Sequence, residues 1–260
     1  MSDVESEWER LTREERELDQ QFGGLGEVIH LSGDGPVSGD WHIPLTDYEL
    51  VGKMVVHCDR LGIGRWCGIP GDLFHMDALS DHMPKQVGAG FERESAVANR
   101  VVKHLLRHFD EVVIALGNHD DRLQRRLDYA TSFDQTVRMV LHELTSSERA
   151  RLRVTNRDHF IVDTDEGPWR VCHTRQYSKV QLSVPLQLAT IHQMHVAAAH
   201  RHHTALGFHP AGFRLAELGG MFDAARTEYL HRWSTTFPKW QPSYMILRDG
   251  RMICPALSGE

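Results

Sequence analysis

The stretch EVVIALGNHDD, residues 111–121, decides how the rest of the chain is interpreted. Its first part is an apolar run long enough for a buried β-strand, and it ends abruptly at Gly117 and Asn118. His119 and Asp120 follow, so one strand end carries an amide, an imidazole and a carboxylate. The open α/β sheets of soluble proteins form their ligand sites at such carboxyl ends of strands. The stretch therefore predicts a buried strand that leads into a functional loop.

The same change from apolar to polar residues recurs on both sides of this stretch. Each predicted strand or extended piece ends within a few residues of a metal-ligating or proton-carrying side chain. These side chains are Asp40 and His42 after 36–39, Asp72 after 65–69, His173 after 168–172, and His200 and His202 after 195–199. Because the carboxyl ends of parallel strands meet at one edge of a sheet, residues far apart in sequence are predicted to converge there.

The remaining elements alternate between strands and helices, which predicts one α/β domain over residues 27–260 with extra antiparallel strands late in the chain. The predicted helices cover 46–61 with Thr46 as N-cap, 92–109, 133–144, and a stretch from Pro185 at the first helical position through Gln193. The other predicted strands cover 27–31, 111–116, 151–155, 159–163, 213–218 and 224–230. Residues 243–254 are predicted to form a hairpin that turns at Asp249-Gly250 in a type I′ loop.

Residues 1–26 form a separate segment with a narrow apolar seam at helical spacing. The seam consists of Val4, Trp8, Leu11, Leu18, Phe22 and Leu25. An amphipathic helix of this kind either packs on its own domain or serves as a dimer arm, and the second alternative predicts a homodimer through this helix.

Composition bounds the class of protein. The chain has 260 residues, 41% hydrophobic content and a net charge of −7, and residues 1–20 alone hold eight acids and three bases. The rest of the chain is thus close to neutral, which excludes the strong basic excess of a dedicated duplex-DNA binder. No apolar run suits a signal peptide or a membrane span, and four scattered cysteines predict reduced thiols in a cytoplasmic protein.

The ligand types point to divalent metals. The sequence has 18 histidines, and the strand ends combine imidazole, carboxylate and one amide oxygen without a thiolate. These atoms suit two divalent ions, with manganese favoured and iron, zinc, nickel or cobalt as alternatives.

In this order, D-x-H, G-D, G-N-H-D, a lone His and H-x-H resemble the calcineurin-like metallophosphoesterase superfamily over about residues 36–203. The size is similar to that of its compact phage and bacterial members. Thr174 after His173, and Ala199 before His200, stand where the family usually has glycine. The resemblance implies a four-layer α/β/β/α sandwich with one metal on Asp40, His42, Asp72 and His202, and another on Asp72, Asn118, His173 and His200. It also implies His119 as the acid beside the leaving group and Asp120 as its orienting partner.

Hydrolysis of a phosphate ester by a hydroxide bridging two metals is the activity that this resemblance implies. A phosphodiesterase acting on a small nucleotide, cyclic ones included, is the leading interpretation. A DNA or RNA nuclease is the first alternative, since Arg-rich stretches occur at 122–126 and 149–157. A phosphomonoesterase comes next, and a non-catalytic scaffold last because the set of site residues is intact. Arg122, His75 and His203 are predicted to contact the substrate.

Overall fold

The computed structural model describes residues 7–15, 26–80, 90–226 and 240–255. In chain order the strands are β1 (His30–Ser32), β2 (Gly35–Val37), β3 (Trp66–Pro70), β4 (Glu111–Ala115), β5 (Leu152–Thr155), β6 (His159–Asp163), β7 (Trp169–His173), β8 (His195–Ala199), β9 (Ala205–Phe208), β10 (Arg214–Glu217), β11 (Met245–Arg248) and β12 (Arg251–Ile253). The helices are α1 (7–15), α2 (Tyr48–Leu61), α3 (Phe91–His108), α4 (Asp121–Arg126), α5 (Phe133–Val140), α6 (Ser146–Arg149) and α7 (Ser183–His192).

The strands form two six-stranded sheets. The first sheet has the order β1-β6-β7-β8-β10-β9, and the second has the order β12-β11-β2-β3-β4-β5. In the second sheet β2, β3, β4 and β5 are parallel, and in the first β7, β8 and β10 are parallel. Their carboxyl ends carry the polar residues singled out in the sequence.

Successive residues of each central strand are buried on opposite faces of the sheet, one facing the helices and the next facing the other sheet. Val112 and Ile114 of β4 pack with helices α2, α3 and α5, whereas Val113 of the same strand packs between the two sheets. Likewise Val196 of β8 packs towards α7, and Ala197 packs between the sheets. A strand with both faces covered needs apolar residues at every position, as EVVIA and HVAAA show. The predicted four-layer α/β/β/α sandwich is confirmed.

Several predicted boundaries shift for local reasons. Helix α2 starts at Tyr48 because Asp47, not Thr46, is its N-cap: the Asp47 side chain accepts a hydrogen bond from Leu50 N, whereas the Thr46 hydroxyl donates to Trp41 O. Helix α7 begins at Ser183, two residues before the predicted Pro185, and α5 ends at Val140 rather than at 144. Strand β1 begins at His30.

Other elements depart from the predictions more strongly. Residues 224–226 of the strand predicted over 224–230 form a 3-10 turn, and the remainder lies outside the described residues. Strand β9 and helix α4 were not predicted: β9 alternates half-buried and exposed residues at a sheet edge, and α4 is only six residues long.

The predicted hairpin and N-terminal helix have different outcomes. Strands β11 and β12 pair antiparallel around Asp249 and Gly250, whose φ angles of 47° and 76° are those of the predicted type I′ turn. Residues 7–15 are helical, with Trp8 66% and Leu11 42% exposed. The other seam residues, Val4, Leu18, Phe22 and Leu25, lie outside the described residues. Among the described helices, none has the length and apolar character to cross a membrane.

Candidate metal centre

The predicted site residues converge at one edge of the sandwich. Asp40, Asp72 and Asn118 follow the neighbouring parallel strands β2, β3 and β4 of one sheet. His173 ends β7 of the other sheet, and His200 follows its neighbour β8. The edge therefore combines carboxylates from one sheet with imidazoles from the other.

The first cluster joins Asp40, His42 and His202, all of them buried. The Asp40 Oδ1 atom lies 3.2 Å from His202 Nε2 and 3.9 Å from His42 Nε2. The two Nε2 atoms are 3.4 Å apart. Three ligand atoms thus converge on one point, as a divalent ion requires.

The second cluster joins Asp72, His173 and His200. His173 Nε2 is 3.2 Å from Asp72 Oδ2 and 3.5 Å from Asp40 Oδ1, so its imidazole also links the two clusters. The ring centroids of His173 and His200 are 5.0 Å apart. Asn118, which comes from the adjacent strand end, has its Oδ1 atom buried without a hydrogen-bond partner.

Both carboxylates have one oxygen fixed by the backbone and the other left for a ligand. The second Asp40 oxygen, Oδ2, accepts a hydrogen bond of 2.9 Å from His200 N. In the same way, Asp72 Oδ1 accepts one of 2.8 Å from His119 N. The remaining oxygens, Asp40 Oδ1 and Asp72 Oδ2, face imidazole nitrogens. This division orients the free oxygens without consuming them.

Backbone strain occurs at most of the candidate ligands, as well as at six other non-glycine residues among those described. Five of them adopt the left-handed region that non-glycine residues rarely occupy: Asp40 (φ 51°), His42 (46°), Asp72 (52°), His200 (93°) and His202 (57°). Such conformations persist only where the surrounding structure imposes them, and they cluster at functional sites.

The electrostatics of the centre call for positive charge. Burial opposes ionisation of Asp40, but the His202 and His173 imidazoles still hold its pKa well below the usual value. The pKa of Asp72 is also lowered: burial again acts against this, and the charge of His173 outweighs it. The same two carboxylates raise the pKa of His173 to about 10 against the effect of burial. A proton on His173 thus balances the buried carboxylates, and a bound cation could do so instead.

The donor set passes the test for divalent ions. Buried polar atoms normally have partners, yet Asn118 Oδ1 and His173 Nε2 have none in hydrogen-bonding geometry. The converging atoms are oxygen and imidazole nitrogen, whereas all four cysteines are buried elsewhere in the fold and form no disulfide. Oxygen and nitrogen ligands of this kind suit manganese, iron, cobalt, nickel or zinc.

His119 lies at the border of the first cluster, with its tautomer set by its neighbours. Its Nδ1 atom is 3.0 Å from His75 O, so Nδ1 carries the hydrogen and Nε2 carries a lone pair. Arg122 Nη2 is 3.3 Å from that Nε2, and Arg122 Nη1 donates to His75 O at 2.7 Å. Burial, followed by the charge of Arg122, lowers the pKa of His119 well below the usual value.

Asp120 has partners other than the one that the resemblance implies. Its carboxylate accepts hydrogen bonds from Phe74 N at 2.9 Å and Gly117 N at 3.0 Å, while His119 Nδ1 is engaged by a carbonyl. Burial and the charge of Asp72 raise the pKa of Asp120 to about 7. The side chain therefore ties the two loops after β3 and β4 together through backbone N–H groups.

The three predicted substrate contacts have different surroundings. Arg122 lies beside His119, and its guanidinium contacts His119 Nε2. His75 is buried with its ring stacked on His119 at a centroid distance of 5.2 Å. His203 is only 1% exposed and faces Glu217 Oε2 at 3.5 Å, a position that leaves no surface for a substrate.

Sequence reasoning missed two buried acids near the centre. Glu217 at the end of β10 forms an ion pair of 2.6 Å with Arg201, which lies between His200 and His202. Glu94 of α3 accepts a hydrogen bond from Met76 N at 2.8 Å. Glu217 is the single acid at the end of the strand RLAE, but this pattern does not reveal its partner Arg201, and Glu94 lies within the charged run FERES, which gives no signal.

Comparison of the sequence with models of known protein families gives no match, and comparison with curated proteins gives none either. Solved structures do match. Vps29 of Cryptosporidium parvum is 14% identical with a TM-score of 0.45, over 85% of this chain and 95% of that one. A single mutant of Vps29 from Entamoeba histolytica is 16% identical with a TM-score of 0.42, over 85% and 96% of the two chains. Protein TM1076 of Thermotoga maritima is 12% identical with a TM-score of 0.38, over 85% and 96%. Likeness at this level says nothing about activity.

Proposed function

We propose that this protein hydrolyses phosphodiester bonds of nucleotides at a centre that binds two divalent ions. Three His/Asp groups converge at this edge, and the observation that carries the proposal is that the two containing a carboxylate are linked by the His173 imidazole between Asp40 and Asp72. Asp40, His42 and His202 would hold one ion, and Asn118, His173 and His200 the other, with Asp72 shared. Divalent ions bound there supply an acidified water molecule and neutralise phosphoryl charge.

His119 is the proton donor of the proposed reaction. Its Nδ1 atom is fixed on His75 O, so a proton carried towards the substrate must be on Nε2. Burial and the charge of Arg122 lower the pKa of the His119 imidazole, and the negative charge of a bound phosphodiester opposes both effects. Arg122 already donates a hydrogen bond to this Nε2. If its N–H groups donated to a phosphoryl oxygen instead, the Nε2 lone pair would be released for protonation.

Asp120 and His75 are positioning residues in this scheme. Asp120 fixes the turn that carries Asn118 and His119 through its bond to Gly117 N. His75 orients His119 through its carbonyl and its stacked ring. Neither residue needs to touch the substrate.

The nuclease alternative is weakened by the surroundings of three arginines in the stretch 149–157, one of the two stretches that suggested it. Arg149 donates to Leu144 O and His142 O, and Arg157 donates to Gly26 O. Arg153 pairs with Glu111. Guanidinium groups engaged in this way support the fold and are less available for a phosphate backbone.

The decisive experiment is turnover of bis-p-nitrophenyl phosphate after metal removal and reloading with Mn²⁺, Fe²⁺, Co²⁺, Ni²⁺ or Zn²⁺ separately. We expect activity with at least one ion and two ions per chain by elemental analysis. Asp72→Asn should lose both bound metal and activity, whereas the matched exposed change Asp163→Asn should keep both. A loaded protein without turnover of any ester would contradict the proposal and favour a scaffold.

His119→Ala tests the proton donor separately. It should retain both ions but lose about 10²–10⁴-fold in rate on diesters with alkoxide leaving groups, because these need a proton most. Diesters with a p-nitrophenolate leaving group should be affected less. An unchanged rate on dinucleotides or cyclic nucleotides would remove His119 from this role.

A further inference from the structure

A cavity of about 550 Å³ lies next to the metal centre and is not used by the proposed mechanism. Leu116, after β4, and Asn156, after β5, line it, so it occupies the carboxyl edge of the second sheet one strand beyond the centre. Asp121 also lines it. The turn that presents Asn118 and His119 to the centre is therefore flanked on both sides by residues of the cavity wall.

The wall contains buried polar groups that lack partners. Gln124 is 7% exposed, and its Nε2 atom donates to Thr131 O at 3.0 Å. The other amide atom, Gln124 Oε1, is buried without a hydrogen-bond partner, and so is the Thr131 hydroxyl. Both residues line the cavity. A buried acceptor and a buried hydroxyl without partners are costly for the protein alone, and a ligand that offers each of them a partner would relieve this cost.

The rim adds an aromatic ring and a positive charge. Tyr129 is 61% exposed and adopts the left-handed region with a φ of 57°, held by its N–H donating to Gln124 O. Arg175, two residues beyond His173, reaches Asp121 Oδ2 at 3.4 Å across the rim. An exposed tyrosine is a stacking surface for a planar base, and a guanidinium at the rim attracts an anionic ligand.

We propose that this cavity binds the nucleoside portion of the substrate, with preference for a base that carries an exocyclic amino group. The proposal rests on the phosphodiesterase function and names its substrate class. The volume falls in the range of pockets for small organic ligands. Amide side chains recognise base edges. Gln124 Oε1 has no partner in the wall, and once the side chain turns towards the cavity it would accept from the amino group of adenine or cytosine, which uracil and hypoxanthine lack.

The test measures binding without catalysis. Adenosine, cytidine, uridine and inosine are titrated against the full chain in EDTA, and the affinity is measured by calorimetry or by chemical shifts. Adenosine or cytidine should bind at least about tenfold more tightly than uridine and inosine, because one hydrogen bond is lost with the latter. Equal affinity for all four nucleosides, or no binding of any, would overturn the proposal.

Variants locate the site. Gln124→Met and, independently, Thr131→Val should each weaken binding of the preferred nucleoside at least about fivefold, since each removes one polar group of the wall. The matched change Gln187→Met, at an exposed position of α7 on the opposite face of the sandwich, should leave binding unchanged. Wild-type affinity in a folded Thr131→Val protein as well as in Gln124→Met places the nucleoside elsewhere.

Kinetics of the metal-bound protein distinguish failure of the cavity proposal from failure of the proposed function. The ratio of kcat/KM for a nucleotide diester to that for methyl p-nitrophenyl phosphate should fall at least about fivefold in Gln124→Met, because only the first substrate has a base. Nucleoside binding in EDTA without turnover of any ester would refute the phosphodiesterase and leave the cavity site standing. Turnover of both substrates with an unchanged ratio would refute the cavity site alone.

Discussion

Two loops of the centre carry ligands in the same strained conformation but are held in different ways. The first loop, residues 40–45, presents Asp40 and His42, and the second loop, residues 200–204, presents His200 and His202. In the first loop Trp41 N and His42 N both donate to Asp72 O, and Ile43 N donates to Leu73 O. The loop after β2 is thus fixed to the loop after β3 by backbone groups.

The second loop has a backbone bond of 3.1 Å from Gln241 N to His202 O, and its other anchors are side chains. Arg201 reaches out of it to Glu217 and donates to Val180 O at 2.7 Å, and the Thr204 hydroxyl donates to Gln241 O at the same distance. Backbone bonds survive most substitutions, whereas a side-chain network depends on each of its residues. The two loops hold their ligands in similar conformations, but substitutions should therefore disturb the second loop more than the first.

Glu217→Gln should have the largest effect. It leaves the buried Arg201 guanidinium without its counter-charge, a change that typically costs about 3–5 kcal/mol. Urea unfolding of the metal-free protein measures this cost, and the visible spectrum of the Co²⁺ form reports displacement of His200 and His202. The exposed Glu166→Gln change, which also breaks pairs with arginines, should alter stability far less. Comparable losses in both variants would show that the second loop does not depend on its ion pair.

Glu94, which holds the segment after Asp72 through Met76 N, should make the free energy of unfolding depend on pH. Burial raises the pKa of Glu94 to about 8, above that of an unfolded chain, so the folded state binds more protons and stability falls as pH rises from about 4.5 to 8. Glu94→Gln removes this group, and its stability relative to wild type should therefore increase by up to about 1.4 kcal/mol per pH unit across that range. A difference that stays constant from pH 5 to 8 would contradict the raised pKa.

Thr204→Val and Thr46→Val form a matched pair across the two loops. Thr204 bonds Gln241 O and lies 2.6 Å from Ser243 Oγ, so its loss should cost about 1–3 kcal/mol and weaken metal binding measurably. The Thr46 hydroxyl donates to Trp41 O, and its loss should cost about 1 kcal/mol with little change in metal affinity. Thermal unfolding and metal titration measure both losses. Larger losses of stability and metal affinity in Thr46→Val than in Thr204→Val would show that the first loop depends more on side chains.

Short-range patterns in the sequence predicted most of the strands and helices, whereas the sandwich was implied by the family resemblance. Alternation and apolar runs identify β4 and β8, and the Asp249-Gly250 pair identifies its hairpin, because these signals arise from neighbouring residues. The strand-end residues of the centre were found in the same way. Glu217 and the cavity around Gln124 were not, because their roles depend on contacts between segments that no local pattern encodes. The misplacement of the α2 cap at Thr46 has the same origin, since its hydroxyl is engaged by Trp41 O.

The antiparallel pairing of β2 with β11 has a consequence for biosynthesis. Strand β2 leads into Asp40, and its Pro36 is in register with Ile246, so a strand made early by the ribosome waits for one made near the end. Until β11 emerges, one side of β2 is an open sheet edge, and such edges promote association between nascent chains. Fragments that stop before Met245 should therefore fail to retain metal whatever ion the growth medium supplies, and translation must proceed into β11 before the centre can mature.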